Sequence, residues 1–404
     1  MHLAVLSLKP CWEDPASPTG LATDGGFPYQ MAALAELFDR TTVIVPRRPG
    51  PAPPGLRALT GTGLDVRTFP EPPGQDLRRK LSLLLRLPWL LPKLWRWVGE
   101  ADAVHAVVPG DIGVLGIPLA LLRRRRLFVR HCGTWPIHGS KTIQATATDR
   151  VLHRLLLSLA RRSWKPGRAP VILATGGGEN DPVPSRAGRA GVSWIFSTTL
   201  RSAELERPEK PFWRPEAGEP LRLITAGRLT RGKNAAAVVR AVQKLRNENV
   251  DVVLDILGHG PERQALETLA KTNNDDGAIS FHGNKSHQEV LEHLDRAHVM
   301  VFPTRVTEGF PKAVLEAMAC GTLVLAPRVS VLPLLLAESG VLLDGTDPET
   351  VATALRRVVE GPGTAAALAA NGRQTARRYT LEAWRDAIGE RLTGAWGTLR
   401  EDGR

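Results

Sequence analysis

Cysteine is scarce in this chain, and nothing in its placement suggests pairing. The 404 residues hold three, Cys11, Cys132 and Cys320, widely separated and without Cys-x-x-Cys spacing. That argues for a reducing cytoplasm, with no disulfide framework and no zinc site. No uncharged stretch reaches the ~18 apolar residues that a membrane span requires. The opening residues, Met1-His-Leu-Ala-Val-Leu-Ser-Leu-Lys-Pro, carry neither a basic n-region nor a small-residue cleavage site. They read as a first strand and not as a signal peptide. Several catalytic signatures are also missing: a Gly-x-Gly-x-x-Gly turn after the first strand, a Walker Gly-x4-Gly-Lys-Ser/Thr loop, a Gly-x-Ser-x-Gly elbow and a His-Glu-x-x-His pair. There is no Asp-x-Asp triplet to hold a metal, so no metal and no cofactor are expected.

What is present is an ordinary globular composition, with 43% hydrophobic and 23% charged residues, and enough length for two domains, each with its own core. The charge is lopsided. Residues 1–190 carry 26 Lys and Arg against 14 Asp and Glu, whereas residues 191–404 carry 27 of each sign, so the whole net charge of +12 lies in the first half. A one-sided basic surface implies an anionic partner such as a membrane, a phosphorylated substrate or nucleic acid. The segment Leu77–Val98 mixes leucines and Trp89, Trp95 and Trp97 with Arg78, Arg79, Lys80, Arg86, Lys93 and Arg96. Trp favours the headgroup level and basic residues favour anionic lipid. Pro88 and Pro92 are expected to prevent one long helix, so on this reading the segment lies on a membrane and does not cross it. The alternatives are that its leucines are core and its arginines a solvated rim around a soluble, phosphorylated acceptor, or that it makes oligomer contacts.

Strand and helix signals alternate, which implies parallel sheets. Strands are expected at His2–Leu8, Thr41–Val45, Ala103–Val108, Leu127–Arg130, Val171–Ala174 and Ser193–Ser197, with a glycine turn at Gly25-Gly26 leading into a helix. Glu204–Pro220, rich in Pro and Glu, reads as a linker. The second half is more regular. It has strands at Leu221–Ala226, Val252–Leu257, Ala278–Phe281 and Val299–Pro303, and helices at Ala235–Arg246, Pro261–Lys271, Gln288–Arg296 and Pro311–Cys320. Asn234 is placed to cap the first of these helices and Gly321 to end the last.

Two constellations carry chemistry. In Glu308-Gly-Phe-Pro-Lys-Ala-Val-Leu-Glu316, one acid falls in a loop after a strand and the other inside the next helix. A carboxylate accepts two hydrogen bonds and so can grip a vicinal diol, while Gly309 and the helix start let backbone approach a phosphate. In Gly227-Arg-Leu-Thr-Arg-Gly-Lys233-Asn, a fixed guanidinium, a mobile ammonium and helix-start amides suit a diphosphate. Gly258-His-Gly-Pro-Glu and Phe281-His-Gly-Asn-Lys end strands at the edge where open α/β sheets bind ligands.

The Glu-x7-Glu pattern, continued by Ala-Met-Ala-Cys-Gly, resembles the donor-site signature of the retaining family-four glycosyltransferases, strongly over about 221–360 and in topology elsewhere. That resemblance implies an α/β GT-B fold, two Rossmann-like domains facing each other across a cleft. These are an acceptor-side domain at 1–205, a nucleotide-sugar domain at 206–375 and a helical segment at 376–404 packing back on the first. It implies that Glu316 holds ribose hydroxyls and that Glu308, Gly309, Phe310 and Pro311 meet the transferred sugar and diphosphate. Arg228 and Lys233, after Gly227, would neutralise the leaving diphosphate. Gly258, Gly283 and Asn284 would line the donor site, the last two near the base. In the first half, Gly25, Gly26 and His131 match the family's diphosphate-facing turn and sugar-touching His. Ala174-Thr-Gly-Gly-Gly-Glu-Asn-Asp and Ser193-Trp-Ile-Phe-Ser-Thr-Thr depart from its pattern.

The implied function is transfer of a sugar from a nucleoside diphosphate sugar to a saccharide or lipid-linked acceptor, with retention, by a cytoplasmic protein peripheral on the membrane. Nucleic acid is not an expected partner, because no recognised binding module is present and the second half is neutral. A nucleotide-sugar epimerase on the same fold would instead turn over donor without acceptor, and a basic non-enzymatic binding protein would bind no nucleotide sugar.

Overall fold

The computed structural model describes residues 1–53, 55–74, 76–132, 147–162, 165, 167–175, 191–208, 210–214, 218–272, 277–306 and 308–401. Among these, residues 1–175, 191–199 and 381–401 form one compact unit and residues 200–380 a second. Gly133-Thr-Trp135 and the Gly-Gly-Gly-Glu-Asn-Asp stretch that follows Thr175 lie outside the described residues.

The first unit is built on a sheet of β1 (His2–Leu6), β2 (Cys11–Glu13), β3 (Leu21–Thr23), β4 (Arg40–Pro51), β5 (Arg57–Ala58), β6 (Leu64–Pro70), β7 (Ala103–Val108), β8 (Arg126–His131), β9 (Val171–Ala174) and β10 (Val192–Trp194). Its parallel body runs β6-β4-β1-β7-β8-β9-β10. Leu3–Leu6, Val43–Val45 and Val104 are fully buried, as strands covered on both faces require. β4 outruns β1, and its far end pairs with β2 at Arg47 and Pro51. β2, β3 and β5 then add an antiparallel flap.

One expectation fails here. The segment around Leu77–Val98 is a single helix, Asp76–Gly99, with both prolines inside it. Leu83, Leu90, Leu94 and Val98 recur at helical spacing and are buried in the core, and their packing offsets the local cost of proline. Pro88 and Pro92 lie four apart on the exposed face. The carbonyls that lose N–H donors, those of Leu84 and Pro88, are therefore on the water side. Among the described residues no helix is long and apolar enough to cross a membrane.

A buried cation fastens the C-terminal helix, Leu381–Trp396, within this unit. Arg130 is 2% exposed. Its Nη1 donates to Gln30 Oε1 at 2.9 Å, and its guanidinium lies 5.1 Å from the centre of the Trp384 ring. Gln30 Nε2 in turn donates to Ser197 Oγ and the Thr198 carbonyl, both at 3.0 Å.

The second unit holds β11 (Leu221–Ala226), β12 (Val252–Leu257), β13 (Ile279–Gly283), β14 (Val299–Val301), β15 (Leu323–Pro327) and β16 (Val341–Leu343), all parallel, in the order β13-β12-β11-β14-β15-β16. Numbered within the unit this is 3-2-1-4-5-6, the doubly wound order of nucleotide-binding sheets. The Glu204–Pro220 stretch is not a free linker. Lys210 Nζ donates to the Leu294 and Ala297 carbonyls at 2.7 and 2.6 Å, and Trp213 is buried with its Nε1 on the Glu219 carbonyl at 2.8 Å. Burial pushes the Lys210 ammonium down to about 8. Anchoring through isolated side chains leaves no periodic face for a sequence reading to find.

Candidate functional site

In a doubly wound sheet the chain leaves the two central strands in opposite directions, opening a crevice beyond their carboxyl ends. Here those strands are β11 and β14. β11 runs into Gly227–Lys233, and β14 runs into the loop that carries Glu308. The topology therefore brings the basic glycine loop and the first acid to one place, although 75 residues separate Lys233 from Glu308.

Lys233 Nζ donates to Glu308 Oε1. Thr304 Oγ1 donates to the same oxygen at 2.9 Å, and the Ser330 hydroxyl donates to the Glu308 carbonyl. Lys233 Nζ also lies 5.0 Å from the centre of the Phe302 ring, a cation–π contact that holds the ammonium over an apolar floor. The side chains of Lys233 and Glu308 are 20% and 16% exposed, so the pair is reachable by a ligand without being free in solvent. Arg228 is exposed on the same loop. Asn234 stands before the Ala235–Asn247 helix but does not cap it. It takes a left-handed conformation, φ +56°, and its Nδ2 donates to the Thr346 carbonyl at 2.7 Å.

The neighbouring turns are joined by backbone. Gly227 N–H donates to Leu257 O at 3.0 Å, Leu229 N–H to His259 O at 3.0 Å and Gly258 N–H to Gly283 O at 2.7 Å. Gly258 has φ +125°, and a Cβ there would lie 1.9 Å from Gly227 O. Only glycine fits that crossing. Asn284 is exposed beyond Gly283, whose φ is +69°.

Gly309 leads to Phe310, which is buried with its ring 5.4 Å from that of Tyr379, and Pro311 is the residue before the Lys312–Ala319 helix. Glu316, inside this helix, is 9% exposed. His287 Nδ1 lies 3.5 Å from Glu316 Oε1, while its Nε2 is 2.9 Å from Glu204 Oε1. One imidazole thus spans two carboxylates. Burial alone would raise the Glu204 carboxyl, but hydrogen bonds from His287 and from the Arg201 backbone and side chain bring it down to about 2.

Gly25, Gly26 and His131 belong to the first unit. Gly25 has φ +68°, and Gly26 precedes the Phe27–Ala35 helix. His131 is the last residue of β8, buried, with its carbonyl accepting from the Thr175 N–H at 2.9 Å. Sequence reasoning missed Phe302, Thr304, Ser330, His287 and Glu204. Thr304, four residues before Glu308, offered a faint local signal, but the others become neighbours only through the tertiary fold.

Residues 206–375 match the family described as Glycosyl transferases group 1. D-inositol 3-phosphate glycosyltransferase 1 of Catenulispora acidiphila is 31% identical over 424 residues, covering 96% of this chain and 94% of that protein. GDP-mannose-dependent alpha-(1-6)-phosphatidylinositol monomannoside mannosyltransferase of Mycolicibacterium smegmatis is 30% identical over 170 residues, or 40% of this chain. Against that protein and the next two curated relatives, the match spans only 36–44% of the relative's length. HepE of Anabaena, solved in complex with UDP and glucose, matches in fold with a TM-score of 0.66 at 16% identity, covering 97% of this chain and 99% of HepE. The chain belongs to the group 1 glycosyl transferases and has their GT-B type of fold, two parallel-sheet α/β units.

Proposed function

We propose that the protein moves a glycosyl group from a nucleoside diphosphate sugar to an acceptor hydroxyl, keeping the configuration of the anomeric carbon. The observation that carries this is the Lys233–Glu308 pair, held at the switch point of a nucleotide-binding sheet with Arg228 beside it. Lys233 and Arg228 neutralise the diphosphate as the bond from the anomeric carbon to phosphate oxygen breaks. Preorganised positive charge at a developing anion is a large catalytic contribution. The two cations supply this charge without a metal. The acceptor oxygen bonds to the same face of the anomeric carbon, and its proton passes to the departing phosphate. Glu308, with the backbone of Gly309, Phe310 and Pro311, faces sugar and diphosphate. Glu316 accepts from the ribose hydroxyls. Gly227, Gly258, Gly283 and Asn284 shape the floor of the donor site. Proton NMR of product formed at early times should show the donor's anomeric configuration; an inverted linkage would overturn the front-face route.

We also propose that the first unit rests on an anionic membrane surface and takes a lipid-linked acceptor. On the Asp76–Gly99 helix, Trp89 is 84% and Leu85 82% exposed, with Leu81, Leu84 and Trp95 also open to solvent. Lys80 and Lys93 are exposed on the same helix. A cavity of about 440 Å³ beside it is lined by Phe69, Leu83, Trp89 and Leu90 together with Arg86 and Lys93. Apolar walls and two cations match an acyl chain and its phosphate. Each basic residue near an anionic surface contributes ~1 kcal/mol. In flotation assays the protein should rise with anionic vesicles at low salt, remain behind with neutral ones, and lose binding when Trp89 and Trp95 become Ala. Absence of binding to anionic vesicles at low salt would end this reading.

A further inference from the structure

The second unit carries a cluster that the transfer reaction does not use. Asp255 on β12, His282 on β13 and His293 on the His287–Arg296 helix converge from three elements. His282 Nε2 lies 2.7 Å from Asp255 Oδ1, and His293 Nδ1 lies 3.3 Å from Asp255 Oδ2. The two imidazole rings are 4.5 Å apart between centres, and the three donor atoms all fall within 4.8 Å of one another. The β12–β13 register shifts here: Ile256 pairs with Phe281 and Leu257 with Gly283, leaving His282 as the extra residue. Such bulges re-aim a side chain.

We propose that Asp255, His282 and His293 bind a single borderline divalent cation, Zn²⁺ by preference. Imidazole and carboxylate are the ligands zinc takes, at about 2 Å, and a tetrahedral ion at that distance sets its ligands roughly 3.3 Å apart. The two spacings to Asp255, 2.7 and 3.3 Å, lie at or just below that value, so a small opening of the cluster is enough to admit the ion. The side chains are 28%, 38% and 17% exposed in the order His282, Asp255, His293, which leaves a path for the ion and a fourth position for water. Among the described residues no Lys or Arg pairs with Asp255, and the nearby Arg263 is matched by Glu267 at 2.7 Å. The site holds structure and is not part of the chemistry. By pinning His282 it fixes the turn that begins at Gly283.

The inference stands apart from the proposed transfer reaction, and so does its test. Chelator-treated full-length protein is titrated with ZnCl₂ in a calorimeter, and with CoCl₂ while visible absorption is recorded. One equivalent should bind, with the intense absorption of four-coordinate cobalt. Asp255→Asn and His293→Gln, which preserve size and hydrogen bonding, should each weaken binding about tenfold or more, at least as much as loss of an outer-shell partner does. Circular dichroism confirms that the variants are folded. No saturable binding by the unsubstituted protein, or binding that both variants retain unchanged, would overturn the site and leave only a hydrogen-bonded His–Asp–His network.

Discussion

Lys233→Ala and Arg228→Ala should each lower kcat/KM about 100-fold or more, the typical cost of removing one preorganised donor from a developing anion, with little change in thermal midpoint. The expected loss is large because the ammonium sits at the switch point, held by Glu308 and over Phe302, where water is a poor substitute. The expected stability change is small for a separate reason. Lys233 is 20% exposed and its ion pair borders solvent, and pairs of that kind contribute about 0–1 kcal/mol. Glu308 keeps its bond from Thr304 at 2.9 Å when the lysine is gone. Steady-state kinetics beside a melting curve separates the two effects. If both purified variants turn over normally, the diphosphate assignment is wrong; if turnover falls only with the folded fraction, the loop is structural.

Gly258→Ala should destabilise the second unit by about 3 kcal/mol or more, combining overpacking with a strained backbone conformation. The added methyl would sit 1.9 Å from Gly227 O, backbone against backbone, at φ +125°. Neither side can yield without breaking the Gly258–Gly283 and Gly227–Leu257 hydrogen bonds. Gly227→Ala is the internal comparison. Its φ is +147°, but nothing lies within 4 Å of the added carbon, so it pays only for conformation and should lose much less. Urea denaturation of both variants measures the difference. A Gly258→Ala protein within ~0.5 kcal/mol of the parent, the range of harmless substitutions, would show that the crossing yields to a methyl group.

The strands Leu221–Ala226 and Val252–Leu257 were legible to the residue, because each is an apolar run ended by a glycine that the next turn requires. Gly321 ends its helix at φ +66° as expected. The flap of β2, β3 and β5 was not legible, since strands of two or three residues have no measurable period. Asn234 was misread for a different reason: its type suits a cap, but Thr346, 112 residues away, takes its side chain. The same division holds at the site. Lys233 and Glu308 announced themselves through glycine and proline neighbours, whereas His287 meets Glu204 and Glu316 only after the chain has folded. Pro88 and Pro92 show local preference yielding to a core-facing stripe.

The turns at Gly227, Gly258 and Gly283 are tied to one another by main-chain atoms. Their path therefore does not depend on the side chains they show to solvent. His259 and Asn284 are exposed on this framework, free to vary in identity while the loop path stays put. Point substitution at these positions can change what this edge of the sheet displays, with no redesign of the turns that carry it.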